Sequence, residues 1–191
     1  MARKDMARFE ISDLPLGGLK RIERSVLEDD RGSLSRLFCA DELREAGWGK
    51  PVAQLNHTRT VARGTVRGLH FQRPPHMEMK LVSCIRGAVW DVAVDLREGS
   101  PTLLHWHAEE LSSNNHRALL IPEGFAHGFQ ALTDDAELIY VHSSAYNPGS
   151  EAGLHPEDPR LEIAWPQPVR ALSGRDASHP YITHSFRGLP K

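Results

Sequence analysis

The stretch Met79-Lys-Leu-Val-Ser-Cys-Ile-Arg-Gly-Ala-Val-Trp-Asp-Val-Ala-Val-Asp-Leu96 decides the fold. Met79 to Ile85 predicts one strand, Arg86-Gly87 a tight turn, and Ala88 to Leu96 a second strand. In the second strand, positions 88, 90, 92, 94 and 96 fall on one face, and positions 89, 91, 93 and 95 fall on the other. This alternation with a period of two is typical of β-strands. The centre of the chain is therefore predicted to be β-structure.

Further short strands are predicted on both sides of this stretch. Before it, Leu19, Ile22 and Val26 supply the apolar positions of short strands, and the helix formers of Asp41 to Gly47 predict one short helix. The strands predicted after it are Leu103 to Leu111, Ala118 to Ile121, Gly128 to Leu132 and Ala136 to Ser143. Many short strands with Gly and Pro turns indicate a mainly β antiparallel sandwich or jelly-roll barrel.

The end of the chain, from Pro148 to Pro180, is rich in Pro, Asp and Gly. We therefore expect it to wrap the barrel as loops and short turns. Residues 1–191 are predicted to form a single domain, in which about residues 1–30 form an N-terminal arm, because this length suits one domain.

Composition narrows the functional classes. The 191 residues have a formal net charge of -2 and a pI of about 6.6. A general nucleic-acid or membrane-surface binder needs a broad basic field, so neither partner is expected. Cys39 and Cys84 form no close pair and are interpreted as structural thiols of a reducing compartment. Met1 to Asp13 lacks a hydrophobic signal core, which favours a cytoplasmic protein.

Three segments carry the chemistry. They are Arg63-Gly-Thr-Val-Arg-Gly-Leu-His-Phe71, Ile121-Pro-Glu-Gly-Phe-Ala-His-Gly-Phe129 and Ser173-Gly-Arg-Asp176, and they occur with Gln54-x-Asn56 and Asp91-Val-Ala-Val-Asp-Leu-Arg97. In order and separation, these segments resemble the dTDP-4-dehydrorhamnose 3,5-epimerase family, from about Asp29 to Pro180. The resemblance implies a cupin-like jelly roll that inverts C3, C5 or both beside the ketone of a nucleotide-diphosphate 4-keto-6-deoxysugar.

Such an inversion needs a base, a group that stabilises the enolate oxygen, and an acid on the opposite face of the ring. The resemblance implies that His70 is the base, supported by the carboxylate of Asp176. It places the cation of Lys80 near the ketone oxygen and makes Tyr140 the acid on the far face. Imidazole suits the first role because its pKa lies near the operating pH.

The resemblance also implies how the substrate is bound. Three arginines would grip the diphosphate, two amides would add neutral hydrogen bonds, one aromatic ring would stack on the base, and one barrel histidine would lie near the sugar. In that order these residues are Arg31, Arg67, Arg175, Gln54, Asn56, Tyr146 and His127. Family members are homodimers that exchange N-terminal strands, so a homodimer is expected.

Three positions depart from the family pattern. Leu34 stands where an aromatic residue is usual, Arg36 where an acid is usual, and Glu78 where glutamine is common. The first two positions help to recognise the thymine end in the family. The carrier base therefore stays open between thymine, cytosine and guanine, and the inverted carbon stays open too.

A metal-dependent cupin enzyme is the main alternative. His76 and His127 occupy two ligand positions of the cupin motifs, but Lys80 stands where a ligand glutamate is expected. A protonated lysine repels a cation, so we expect no metal and no cofactor. His105-Trp-His107 with the two glutamates that follow is a second, weaker metal candidate. The third alternative is a non-catalytic sugar or nucleotide binder on the same barrel.

Overall fold

The structure, a computed structural model, describes residues 8–190. Thirteen strands and one short α-helix follow one another along this part of the chain. The elements are β1 (Phe9–Asp13), β2 (Lys20–Arg24), β3 (Val26–Asp29), β4 (Gly32–Ser35), α1 (Ala40–Leu43), β5 (Gln54–Thr60), β6 (Val66–Gln72), β7 (Lys80–Arg86), β8 (Ala88–Asp95), β9 (Trp106–Ser112), β10 (Arg117–Ile121), β11 (Phe125–Ala131), β12 (Ala136–His142) and β13 (Glu151–Gly153). One 3-10 turn, Asp176–Ser178, lies near the end.

Two antiparallel sheets face each other. One has the strand order β1-β2-β10-β7-β12-β5, and the other has the order β13-β6-β11-β8-β9. A separate two-stranded sheet is formed by β3 and β4. The long crossovers between strands that are distant in sequence produce a jelly-roll barrel, as the sequence predicted. No helix among residues 8–190 is long and apolar enough to cross a membrane.

The two strands of the deciding stretch belong to different sheets. β7 pairs with β10 and β12, whereas β8 pairs with β9 and β11. The turn between them therefore connects the two walls of the barrel. Gly87 in this turn has φ +70°, and a Cβ there would collide with the Thr133 hydroxyl. Glycine is required at this position, because other residues are strained at positive φ.

Side chains alternate between the inside and the outside of the barrel. Inward positions of both sheets form a shared core, whose members include Val82, Cys84, Val89, Ala93, Phe129 and Leu138. The outward side chains of β8 are buried as well, because the C-terminal segment packs over them with Leu154, Leu161, Ile182 and Leu189. The tail therefore wraps the barrel, and both faces of the predicted strand are buried.

The predicted helix is shorter than expected. α1 begins at Ala40 and its regular part ends at Leu43, after which turns continue to Gly47, whose φ is +102°. Leu43 and Trp48 pack on the outside of the six-stranded sheet against Leu81. Cys39 and Cys84 are both free thiols, as expected. Most of the predicted segment Met1 to Asp13 lies outside the described residues.

Candidate active site

A cavity of about 520 Å³ opens between the two sheets at one end of the barrel. The strand alternation explains its lining. Lys80 lies two residues before inward Val82, Tyr140 two residues after inward Leu138, and His127 two residues before inward Phe129. His70 is paired across the strands with His127. Along each of these strands, the inward-facing side chains are therefore apolar deep in the barrel and polar at its open end.

An imidazole–carboxylate pair occupies one wall of the cavity. His70 Nε2 lies 2.8 Å from Asp176 Oδ1, and the Gly68 amide donates to Asp176 Oδ2 over 3.3 Å. Asp176 is only 4% exposed, and its own amide donates to the Ser173 hydroxyl oxygen. Burial by itself would raise the pKa of the Asp176 carboxyl, but the hydrogen bond and charge of His70 together with the Gly68 amide hold that pKa below its ordinary value. The carboxylate is therefore ionised and can orient the imidazole.

A buried ion pair lies close to this imidazole. Lys80 Nζ is 3.1 Å from Glu78 Oε1 and donates to the His70 carbonyl oxygen over 3.2 Å. The Lys80 and Glu78 side chains are 8% and 6% exposed. Gln72 Nε2 also donates to Glu78, over 3.0 Å. The ammonium group is thus compensated by a carboxylate at the position where the sequence departs from the family pattern.

Tyr140 lies in the six-stranded sheet, opposite the sheet that carries His70. Burial raises the pKa of its phenol, and the charge of Asp91 raises it further, although a hydrogen bond with Thr58 opposes both effects. The phenol is therefore protonated at neutral pH and can serve as a proton donor. The ring of His127 packs edge-on against Tyr140, with centroids 5.8 Å apart, and His127 Nε2 lies 2.9 Å from Asp91 Oδ2.

The rim of the cavity carries most of the predicted binding residues. Gln54 donates to Asn56 over 3.0 Å and accepts the Tyr146 amide over 2.9 Å. Tyr146 donates its hydroxyl to Glu151, which also pairs with Arg175. Arg67 lines the cavity as well, and its Nε donates to the Thr60 hydroxyl over 3.0 Å.

Arg31 is not part of the cavity lining. It lies at the turn between β3 and β4, its side chain is 89% exposed, and it pairs with Asp29. Leu34 is 69% exposed in the same small sheet, and Arg36 pairs with Glu42. Within one chain, the expected contribution of Arg31 to the nucleotide site is therefore not made.

The histidines proposed for a cupin-type metal site have other partners. His76 Nδ1 lies 2.8 Å from the Ser150 hydroxyl and its Nε2 lies 3.3 Å from Asn147, while His127 bonds to Asp91. In the second candidate, His107 pairs with Glu109, whereas His105 precedes the strand and is exposed. Among residues 8–190, neither set brings three His, Cys, Asp or Glu ligand atoms within 4.8 Å of one another.

Several cavity residues were missed by the sequence analysis: Gln72, His142, Glu151 and, behind the cavity wall, His179. Gln72 and His142 could have been found, because each lies two residues after a predicted site residue on the same strand, and alternation places them on the same face. Glu151 and His179 come from the irregular C-terminal segment. No periodic pattern in the sequence reveals their position.

His142 makes folding stability depend on pH. Burial, with the charges of Lys80 and His127, lowers its pKa from 6.5 to about 4. Between pH 6.5 and pH 4 the His142 imidazole is protonated in the unfolded chain but stays neutral in the folded chain. The free energy of unfolding therefore falls as the pH drops from 6.5 towards 4. The whole effect is about 3 kcal/mol.

We therefore expect His142→Gln to be more stable relative to wild type at pH 4.5 than at pH 7. Urea unfolding at the two pH values measures this difference. The pKa of the Asp176 carboxyl is lowered in the folded chain, so its contribution to stability is lost only below about pH 4. Asp176 therefore affects a separate pH range. An equal difference between the two proteins at both pH values would contradict the role given to His142.

The fold and the cavity define a class of protein. A jelly-roll barrel whose cavity offers a carboxylate-held imidazole, a buried ammonium and a protonated phenol is suited to moving protons beside a carbonyl group, which is the chemistry of carbohydrate epimerases. The sequence model of the dTDP-4-dehydrorhamnose 3,5-epimerase family matches residues 13–184. The chain belongs to this family.

Individual relatives agree with this assignment. A dTDP-4-dehydrorhamnose 3,5-epimerase of Streptomyces griseus is 45% identical over 168 residues, which are 86% of this chain and 82% of the relative. A dTDP-4-dehydrorhamnose 3-epimerase of Streptomyces niveus is 44% identical over 166 residues, which are 85% and 79% of the two chains. A Legionella pneumophila 3,5-epimerase, solved with dTDP-4-keto-L-rhamnose, superposes with a TM-score of 0.86 at 39% identity and covers 91% of this chain and 92% of that one.

Proposed function

We propose that this protein epimerises a nucleotide-diphosphate 4-keto-6-deoxysugar at C3, C5 or both. The observation that carries the proposal is the convergence of His70, Lys80, Tyr140 and Asp176 on one cavity. The activities of the relatives agree with it, since a 3,5-epimerase and a 3-epimerase of dTDP-4-dehydrorhamnose are both similar to this chain. Because a double epimerase and a 3-epimerase are almost equally similar, the inverted carbon has to be measured.

The proposed reaction uses His70 as the base. If its Nε2–H donates to Asp176, the lone pair on Nδ1 is available to take the proton beside the ketone. The C–H electron pair moves onto the carbonyl oxygen, and the Lys80 ammonium stabilises the enolate that forms. Tyr140 then protonates the carbon from the opposite wall, and solvent restores both groups.

No metal or cofactor enters this proposal. Lys80 supplies the positive charge that a metal ion would supply in another cupin, and Glu78 holds it in place. The proposed binding residues act on the other parts of the substrate: Arg67 and Arg175 bind the diphosphate, Gln54 and Asn56 add hydrogen bonds, Tyr146 stacks on the base, and His127 lies near the sugar.

We further propose a cytoplasmic homodimer built from one domain per chain. In it the end of the N-terminal arm, with the small sheet of β3 and β4, reaches the partner, since β1 and β2 pair within the barrel of their own chain. The small sheet of β3 and β4 supports this, because a two-stranded sheet is marginal by itself. It exposes Leu27 and Leu34 by 43% and 69%. In such a dimer Arg31 would reach the nucleotide end of the partner's cavity, which accounts for its distance from the cavity of its own chain.

The test is a screen of dTDP-, CDP- and GDP-linked 4-keto-6-deoxysugars in deuterated water, followed by NMR. We expect deuterium at C3, at C5 or at both, with the dTDP sugar reacting fastest. The position of the label identifies the inverted carbon, and the carrier that reacts fastest identifies the base. The absence of exchange with every one of these substrates would overturn the proposed function.

A further inference from the structure

A second imidazole, that of His179, lies behind the His70–Asp176 pair. It follows the 3-10 turn Asp176–Ser178 and lies over Gly153 of β13, the residue paired with His70 across the strands. A Cβ at position 153 would collide with the His179 ring. Glycine at this position therefore makes the space that the ring occupies.

The His179 ring is placed to share the carboxylate of Asp176. Its Nε2 lies 3.8 Å from Asp176 Oδ1, the same oxygen that His70 Nε2 approaches to 2.8 Å, and the two rings are 5.7 Å apart. The His179 side chain is 12% exposed, and its Nε2 is buried without a hydrogen-bond partner in the described part of the chain. A buried polar atom in this condition is costly unless a ligand satisfies it.

We propose that His70, Asp176 and His179 bind a divalent transition-metal ion, with Zn²⁺ as the best fit, and that this ion inhibits the enzyme. Their ligand atoms lie within 4.8 Å of one another, as in no other group of three His, Cys, Asp or Glu among residues 8–190. Two imidazoles and one carboxylate form a usual zinc ligand set, which leaves a coordination position for water.

The distances suit the ion after a small adjustment. Ligand atoms at zinc distances of about 2.0–2.2 Å in a tetrahedron are about 3.4 Å apart. Asp176 Oδ1 lies 2.8 and 3.8 Å from the two imidazole nitrogens, and the two imidazoles offer ligand atoms within 4.8 Å of each other. Asp176 is already oriented, because its other oxygen accepts the Gly68 amide. The His70 side chain is 35% exposed and lines the cavity, which gives the ion a path of entry. Arg175 is paired with Glu151, so its charge is compensated.

Binding would remove the base by changing its tautomer. A metal ion on Nε2 of His70 replaces the proton that this atom shares with Asp176. The neutral imidazole then carries its proton on Nδ1, and the lone pair that would accept the substrate proton is lost. The metal site is independent of the proposed function, whereas the loss of activity rests on it.

The test uses the 191-residue chain, freed of metal with EDTA. Calorimetric titration with ZnCl₂ measures binding, and the visible absorption of added Co²⁺ reports a tetrahedral site, both without any substrate. We expect one ion per chain, inhibition of proton exchange over the same concentration range, and recovery with EDTA. His179→Gln should weaken Zn²⁺ binding by about 10- to 100-fold. The Zn²⁺ concentration that inhibits the enzyme should rise by the same factor.

The matched control is His184→Gln, which removes an exposed histidine from the same C-terminal segment and should bind as wild type does. Each variant is compared with its own metal-free rate and its own thermal unfolding, so a folding defect is recognised. Failure of the wild type to bind Zn²⁺ or Co²⁺ would overturn the proposal. Equal binding by wild type and His179→Gln would overturn it as well, since the ion would then be held elsewhere.

Discussion

The His70→Ala variant is expected to lose both deuterium incorporation and inversion, each by about 10³- to 10⁴-fold, because it removes the group proposed to take the proton beside the ketone. Both readouts are measured in one NMR experiment in deuterated water with the substrate identified by the screen. The two must fall together, since exchange and inversion share the first proton transfer. Exchange within tenfold of wild type would rule out His70 as the base.

Loss of the fold is not expected to explain this result. The His70 side chain is 35% exposed and contacts the cavity, so its removal leaves no void in the apolar core. His57→Ala is the matched control. His57 lies on β5 near the cavity, but it is 52% exposed and pairs with Glu137 outside the lining. We expect this variant to keep the wild-type rate.

Tyr140→Phe separates the two proton transfers. It removes only the hydroxyl, so His70 can still take the proton and return solvent deuterium to the same face. Exchange is expected to persist while inversion falls by about 10²- to 10⁴-fold. An equal loss of exchange and inversion would place Tyr140 in the first proton transfer. It would contradict the assignment of His70 and Tyr140, on opposite walls of the cavity, to opposite faces of the sugar.

The barrel could be predicted from local pattern because strand alternation is a local property. The observed β8 ends one residue before the predicted strand, and β7 is shifted by one residue. Which strands pair is not local: Ile22 of β2 lies beside Ala118 of β10, nearly a hundred residues away. The pairing depends on the summed burial of two distant apolar faces, and no short window of sequence contains it.

The positions of the candidate site residues could be predicted from the sequence where those residues lie on strands. His70, Lys80 and Tyr140 line one cavity because each stands at an inward position near a strand end. Arg31 lies away from that cavity because it is in the turn between β3 and β4, which form a sheet separate from the two barrel sheets in residues 8–190. His179 was not predicted, since its position depends on how the irregular C-terminal segment crosses Gly153.

The ion pair of Lys80 and Glu78 gives the second large effect. Lys80→Met removes the cation that stabilises the enolate, so the epimerisation rate is expected to fall by about 10²- to 10³-fold. It also leaves the Glu78 carboxylate, 6% exposed, with the Gln72 amide as its remaining hydrogen-bond partner among the contacts described. Breaking a buried pair in this way lowers the free energy of unfolding by about 3–5 kcal/mol.

The double variant Lys80→Met with Glu78→Gln distinguishes the two consequences. A neutral glutamine needs no cation, so urea unfolding should show most of the lost stability restored, because replacing both members of a buried pair is far less costly than removing one. The epimerisation rate should stay as low as in Lys80→Met, since the enolate still lacks its positive charge. Recovery of the rate to within tenfold of wild type would mean that the single variant was inactive because it was unstable, and that Lys80 does not stabilise the enolate.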